Sequence, residues 1–114
     1  MKILLAAINA KYTHTNLAVR YLRNALLAAG MEAEFREYTI NQPVMEILTD
    51  LVSCQPDRLL FSCYLWNIQY VQRLGADFRK LFPKAVLLVG GPEVSFDPQW
   101  QLERLPWADG VLCG

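Results

Sequence analysis

The sequence predicts a three-layer α/β sandwich built on a five-stranded parallel sheet, and three observations carry that expectation. Apolar runs such as Ile3 to Ile8 and Ala85 to Val89 are continuous rather than alternating, which suits strands buried on both faces. Stretches with helical periodicity separate them, giving the order β-α-β-α-β-α-β-α-β and right-handed crossovers. Gly90 and Gly91 close the fourth apolar run, where open α/β sheets bind their ligands.

Each element has its own warrant. The first strand runs from Lys2 to Ile8. Thr15-Asn16 caps a helix from Leu17 to Ala29, with Leu17, Tyr21, Ala25 and Ala28 at helical spacing and Gly30 as terminator. Glu32 to Thr39 alternates at Ala33 and Phe35, then less regularly at Tyr38, as expected of an edge strand with one wet face. Pro43 starts a second helix with Met45, Leu48 and Val52 along one side, ending before Pro56. Arg58 to Tyr64 is a third strand, and Leu59-Leu60-Phe61 marks it as central. Ile68, Val71, Leu74, Phe78 and Leu81 give an amphipathic helix over Asn67 to Phe82, stopped by Pro83. The fourth strand is Ala85 to Gly90, a short helix follows Pro98 within Asp97 to Leu105, and Asp109 to Cys113 is the fifth strand.

Composition narrows the function classes. With 114 residues, 54% of them hydrophobic and 19% charged, the chain fits one domain. Such a chain buries about 65% of its unfolded surface. Eleven basic residues balance eleven acidic ones, which argues against nucleic acid or an anionic membrane as the main partner. No apolar run approaches the roughly 18 residues that span a bilayer. The start of the chain lacks a secretory signal, so the expected location is the cytoplasm. Cys54, Cys63 and Cys113 form neither an even disulfide set nor a CxxC pair and read as buried free thiols.

A parallel sheet gathers functional residues in the loops after its strands. Asn9 and Tyr12 follow the first strand; Ser62, Tyr64, Trp66 and Asn67 follow the third; Gly90, Gly91, Pro92 and Glu93 follow the fourth. Together they are polar and aromatic, matching a flat organic ligand with amides or phosphates better than a bare metal. The plainer alternatives stay open: Tyr64 and Trp66 as core edges, Ser62 and Asn67 as helix caps, the glycines as a tight turn. His14, the single histidine, nominates no zinc site by itself. GxGxxG and GxxxxGK[ST] are absent, and Asn9 and Ser62 stand where a phosphoacceptor domain needs carboxylates for magnesium.

Lys2-Ile3-Leu4-Leu5, the segment Phe61 to Asn67, the segment Val89 to Ser95 and the closing Asp109 to Gly114 together resemble the amino-terminal cobalamin (B12)-binding domain of B12-binding radical SAM proteins. The resemblance covers essentially the whole chain. It implies a flavodoxin-like, Rossmann-like sheet of order 2-1-3-4-5, with cobalamin across the carboxyl edge and its nucleotide tail beside the sheet. Ser62 matches the family serine after strand three, and Gly90 and Gly91 match the glycine pair that lets the tail pass. Many such domains carry Asp-x-His-x-x-Gly after strand one; the aligned Asn9-Ala10-Lys11-Tyr12-Thr13-His14 does not match it. The resemblance thus implies cobalamin held base-off without a protein ligand, with ligation by His14 or loss of the cofactor as alternatives.

The resemblance also implies that residues 1–114 are part of a longer radical SAM enzyme. Its barrel, in the same parent chain, would hold a 4Fe-4S cluster and S-adenosylmethionine, because no CxxxCxxC occurs here. This segment alone would then carry no catalysis. Two other readings stay open: an interaction domain that keeps the fold without the cofactor, and a flavin or nucleotide binder.

Overall fold

A computed structural model describes residues 2–9, 23–24, 26–62, 68–90 and 103–112. Its sheet contains β1 (Ile3–Asn9), β2 (Ala33–Thr39), β3 (Arg58–Ser62), β4 (Val86–Gly90) and β5 (Gly110–Leu112), in the order β2-β1-β3-β4-β5. Every pairing is parallel. The central place of β3 and the edge place of β2 match the hydrophobic pattern, which is continuous in the first and mixed in the second.

Between these strands stand α1 (Val44–Cys54) and α2 (Ile68–Leu81), and residues 23–24 and 26–28 are helical as well. That helical stretch ends as expected at Gly30, with φ 83°. There the Gly30 N–H donates to the Leu27 carbonyl at 3.0 Å and the Met31 N–H to Leu26 at 2.9 Å. This paired closure satisfies carbonyls that a helix end otherwise leaves open. The rest of the expected first helix, residues 17–22 and 25, lies outside the described residues, as do 97–102 of the short helix before β5.

The stripe on α1 is rotated from the one expected. Ile47, Leu48, Leu51 and Cys54 are buried, whereas Met45 is 69% exposed. Met45 precedes Ile47 by about 200° of helix rotation, so both cannot face the sheet. On α2 the expected stripe holds at Ile68, Val71, Leu74 and Phe78, but Leu81, in the final turn, is exposed. Cys54 is a buried free thiol; Cys63 and Cys113 lie outside the described residues.

Both helices pack on one face of the sheet. Leu4, Ala6, Ile8, Tyr38, Leu59, Phe61, Leu87 and Val89 meet Ile47, Leu51, Val71, Leu74 and Phe78 there. Trp107, from the turn before β5, completes this core by packing edge-to-face on Phe61, with ring centroids 5.8 Å apart. Its indole lies directly on α2 at Gly75. A Cβ added to Gly75 would meet the Trp107 ring at 2.4 Å, so only glycine lets the ring lie this close.

Arg79, one turn further along α2, fastens the same segment. Its guanidinium donates to the carbonyls of Trp107 (3.2 and 2.9 Å), Ala85 (2.6 Å) and Pro83 (3.1 Å), and to Asp109 Oδ2 (2.6 Å). Asp109 is bonded onto β4 in turn: its N–H donates to the Leu87 carbonyl at 2.7 Å, and its carboxylate accepts from the Leu87 N–H at 2.8 Å. One cation thereby joins the end of α2, the approach to β4 and the start of β5.

Two outcomes test these contacts. Gly75→Ala should destabilise the fold by up to about 2 kcal/mol in urea unfolding, because crowding of roughly 1–3 kcal/mol opposes alanine's better helix propensity of about 1 kcal/mol. A stabilised Gly75→Ala protein would contradict the close ring-on-helix contact. Arg79→Ala should cost about 2 kcal/mol by the same measurement, since several carbonyls lose a charged donor together.

Candidate functional site at the carboxyl edge of the sheet

The site follows from strand register. Ala7 pairs with Ser62, Ser62 with Gly90, and Gly90 with Leu112, so three small residues stand in one row across β1, β3 and β4. Two residues earlier, the same face presents Leu5, Leu60 and Leu88 in a matching row. Side chains on a strand alternate between faces, so Leu5, Ala7 and Asn9 share a face with Leu60, Ser62, Leu88 and Gly90. Side-chain height therefore falls from leucine to alanine, serine and glycine towards the carboxyl edge.

The opposite face shows no such fall. There Leu4, Leu59 and Leu87 are followed by Ala6, Phe61 and Val89, and then by Ile8 on β1. Those positions are filled by the core shared with α1 and α2. On the small-residue face the described core is slight: Leu5, Ala7 and Leu60, with Ile3, Leu26, Phe35 and Leu88 against them. Among the described residues, two helices pack on one face of the sheet, and side-chain size steps down towards the carboxyl edge on the other.

β1 and β2 continue two residues beyond that row and end together, with Asn9 paired to Thr39. At roughly 3.3 Å per residue the extra length raises a wall of about 7 Å beside the trough. Both wall residues are buried, each 4% exposed, and Ser62 is 8% exposed. Asn9 is the last residue of β1, not a loop residue as the sequence suggested. Parallel pairing with β2 extends the strand through it.

The wall is held by its own hydrogen bonds. The Ile40 N–H donates to the Asn9 carbonyl at 3.0 Å. The Thr39 N–H donates to Gln42 Oε1 at 2.9 Å, and Thr39 Oγ1 accepts from the Asn41 N–H at 3.3 Å. Tyr38, on the other face, donates its phenol to Asp50 Oδ2 at 2.5 Å. Burial and that carboxylate push the phenol well above its ordinary pKa. It acts as a neutral donor beneath the edge and takes no part in the trough.

The chemistry of the trough is neutral and polar. Between β1 and β4 the row places an amide at Asn9, a hydroxyl at Ser62 and backbone without a side chain at Gly90, all of them buried. Among the described residues no group of three histidine, cysteine, aspartate or glutamate side chains could hold a metal ion. Such a surface can receive a bulky, amide-rich or flat ligand pressed close to the backbone. Among the described residues of this row there is no carboxylate, histidine or cysteine.

Of the site residues expected from sequence, the structure brings Asn9, Ser62 and Gly90 together on one face. Tyr12, Tyr64, Trp66, Asn67, Gly91, Pro92 and Glu93 lie outside the described residues, as does His14. Sequence reasoning missed Ala7 and Thr39. Ala7 was legible only as part of an apolar run; its place in the small-residue row depends on pairing with Ser62, which no local pattern specifies. Thr39 carried a weak signal as a polar residue ending a strand.

The comparisons with known proteins agree with this geometry. Residues 3–114 match the model of the B12 binding domain family. The cobalamin-dependent radical SAM methyltransferase TokK of Streptomyces tokunonensis is 31% identical over 72 residues, 63% of this chain and 10% of its own. A cobalamin-binding protein from Desulfitobacterium hafniense DCB-2 superposes with a TM-score of 0.73 at 18% identity, over 97% of this chain and 52% of its own. The cobalamin-dependent S-adenosylmethionine radical enzyme OxsB, with aqua-cobalamin and S-adenosylmethionine bound, superposes with a TM-score of 0.77 at 17% identity. That match covers 94% of this chain and 16% of OxsB. The chain therefore spans a small part of TokK and OxsB. At these identities the superpositions speak for the flavodoxin-like fold, while the match across residues 3–114 speaks for descent: the chain belongs to the B12-binding domain family.

Proposed function

We propose that this domain is the cobalamin-binding module of a radical SAM iron–sulfur enzyme, holding the corrinoid for methyl transfer or radical chemistry performed by a barrel of the same parent chain. The observation that carries the reading is the row Ala7–Ser62–Gly90, which sets small residues side by side on one face of the sheet at its carboxyl edge. Ser62 and the backbone at Gly90 and Gly91 would flank the nucleotide tail, and Asn9 with the loop residues Tyr12, Tyr64, Trp66, Asn67, Pro92 and Glu93 would border the corrin. A bound cobalamin supplies a cobalt centre that carries a methyl group or an electron.

The chain's own residues do the rest: they bind, orient and shield. The polar wall of Asn9 and Thr39 offers hydrogen bonding to the amide groups of the corrin rim. The absence of a clustered metal-ligand set among the described residues suits a cofactor that brings its own metal. The kinship with TokK, which its name describes as a methyltransferase, supports methyl transfer as the parent reaction, with the 4Fe-4S cluster and S-adenosylmethionine held by the barrel. No described helix is long and apolar enough to cross a membrane, and we place the domain in the cytoplasm with neither nucleic acid nor membrane as partner.

Titration of the purified domain with hydroxocobalamin and methylcobalamin, followed by visible absorption, tests this reading. Saturable binding with a base-off spectrum is the expected result. No binding at millimolar cofactor would overturn it in favour of an interaction domain that has kept the fold alone. Ser62→Leu, which raises a bulky side chain in the small-residue row, should weaken binding at least about tenfold while the circular dichroism spectrum stays native. Gly91→Val should act in the same way if the tail follows the glycine pair.

A further inference from the structure

Tyr70 lies on α2, on the face of the sheet opposite the trough, and packs its ring against the main core. Its hydroxyl donates to the Ile40 carbonyl at 2.5 Å, in the turn that follows β2. Ile40 is thereby held at both ends of one residue, since its N–H donates to the Asn9 carbonyl at 3.0 Å. The path runs from α2 to the turn, and from the turn to the last residue of β1.

The turn itself is braced. The Gln42 N–H donates to the Thr39 carbonyl at 3.1 Å, and the Gln42 side chain accepts from the Thr39 N–H at 2.9 Å. From its amide nitrogen, Gln42 donates to Glu46 Oε1 at 3.0 Å on the first turn of α1. The turn is therefore a stiff unit, and its placement depends on what it is anchored to. One anchor is β1 through Asn9; another is α2 through Tyr70.

We infer that Tyr70 is a positioning residue for the cofactor: its phenol anchors the 40–42 turn so that Asn9 and Thr39 stand as a fixed wall beside the trough. α2 begins directly after residues 63–67, which contain the expected site residues Tyr64, Trp66 and Asn67. The Tyr70 hydroxyl ties α2 to the turn after β2. A wall fixed before binding spares the ligand the ordering cost of a loose one. The apolar stripe of α2 does not require this hydroxyl, because Phe would pack the same ring.

This inference rests on the corrinoid reading, and the test separates the two. Hydroxocobalamin affinity and amide hydrogen exchange are measured for the wild-type chain, Tyr70→Phe and Phe78→Leu. Phe78 is fully buried and stacks on Phe82 towards the other end of α2, so Phe78→Leu reports general destabilisation. Tyr70→Phe should weaken hydroxocobalamin binding about fivefold, the loss of one net hydrogen bond. It should also speed exchange of the Ile40 amide about as much, while Phe78→Leu lowers the melting temperature and leaves affinity unchanged.

Unchanged affinity and unchanged Ile40 exchange in Tyr70→Phe would overturn the inference. So would an equal loss of affinity in Phe78→Leu, which would make the effect one of stability alone. If the wild-type chain binds no cobalamin, the corrinoid reading fails, and with it the cofactor-positioning role; Ile40 exchange in Tyr70→Phe would still report whether the phenol anchors the turn.

Discussion

The parallel register of β1, β3 and β4 is the constraint from which the rest of this domain follows. Leu5, Leu60 and Leu88 align in one row, and the next row on that face is therefore Ala7, Ser62 and Gly90. A slip by one residue would turn every side chain to the other face and bury the wrong set. It would bring Phe61 and Val89 into the trough and strip the main core of its largest side chains. The cleared face and the filled face are thus two consequences of one pairing, and the energy of the large core secures the shape of the small one.

That pairing is fastened at both ends of the sheet by different chemistry. Before β5, Arg79 gathers the carbonyls of Pro83, Ala85 and Trp107 and the Asp109 carboxylate, and Asp109 bonds to both backbone groups of Leu87. The charged cluster is partly exposed, with Arg79 at 24% and Asp109 at 49%, so its strength comes from the several carbonyls met by one donor group rather than from the ion pair alone. At the carboxyl edge the fastening is neutral: Asn9, Thr39, Ile40, Gln42 and Tyr70 are joined by backbone, amide and phenol groups. Beyond these neutral groups, the Glu46 carboxylate accepts from the Gln42 side chain at 3.0 Å.

Family membership speaks for a binding role. Among the described residues, the row at the carboxyl edge holds small and hydrogen-bonding groups. Its small residues let a ligand approach the backbone. The same fold serves many ligands, and it is the family match, not the sheet order, that points to a corrinoid.

Much of the fold was legible because hydrophobic periodicity is a local signal. The continuous run of β3, the amphipathic repeat of α2 and the glycine that ends the first helical stretch are each written in a few neighbouring residues. The rotated stripe of α1 was not legible, since Met45 and Ile47 are equally apolar and only docking on the sheet decides which faces inward. Ser62 and Gly90 stood out by residue type, whereas Ala7, Thr39 and Tyr70 did not. Their places come from strand pairing and from a hydroxyl bonded to a distant turn, contacts between residues 30 to 55 positions apart. The sequence by itself determined the layers, the kind of sheet and the edge at which a ligand belongs, because burial patterns depend on neighbours. Only the tertiary structure decided which face is cleared and what holds its wall, because register brings together residues that no local pattern connects.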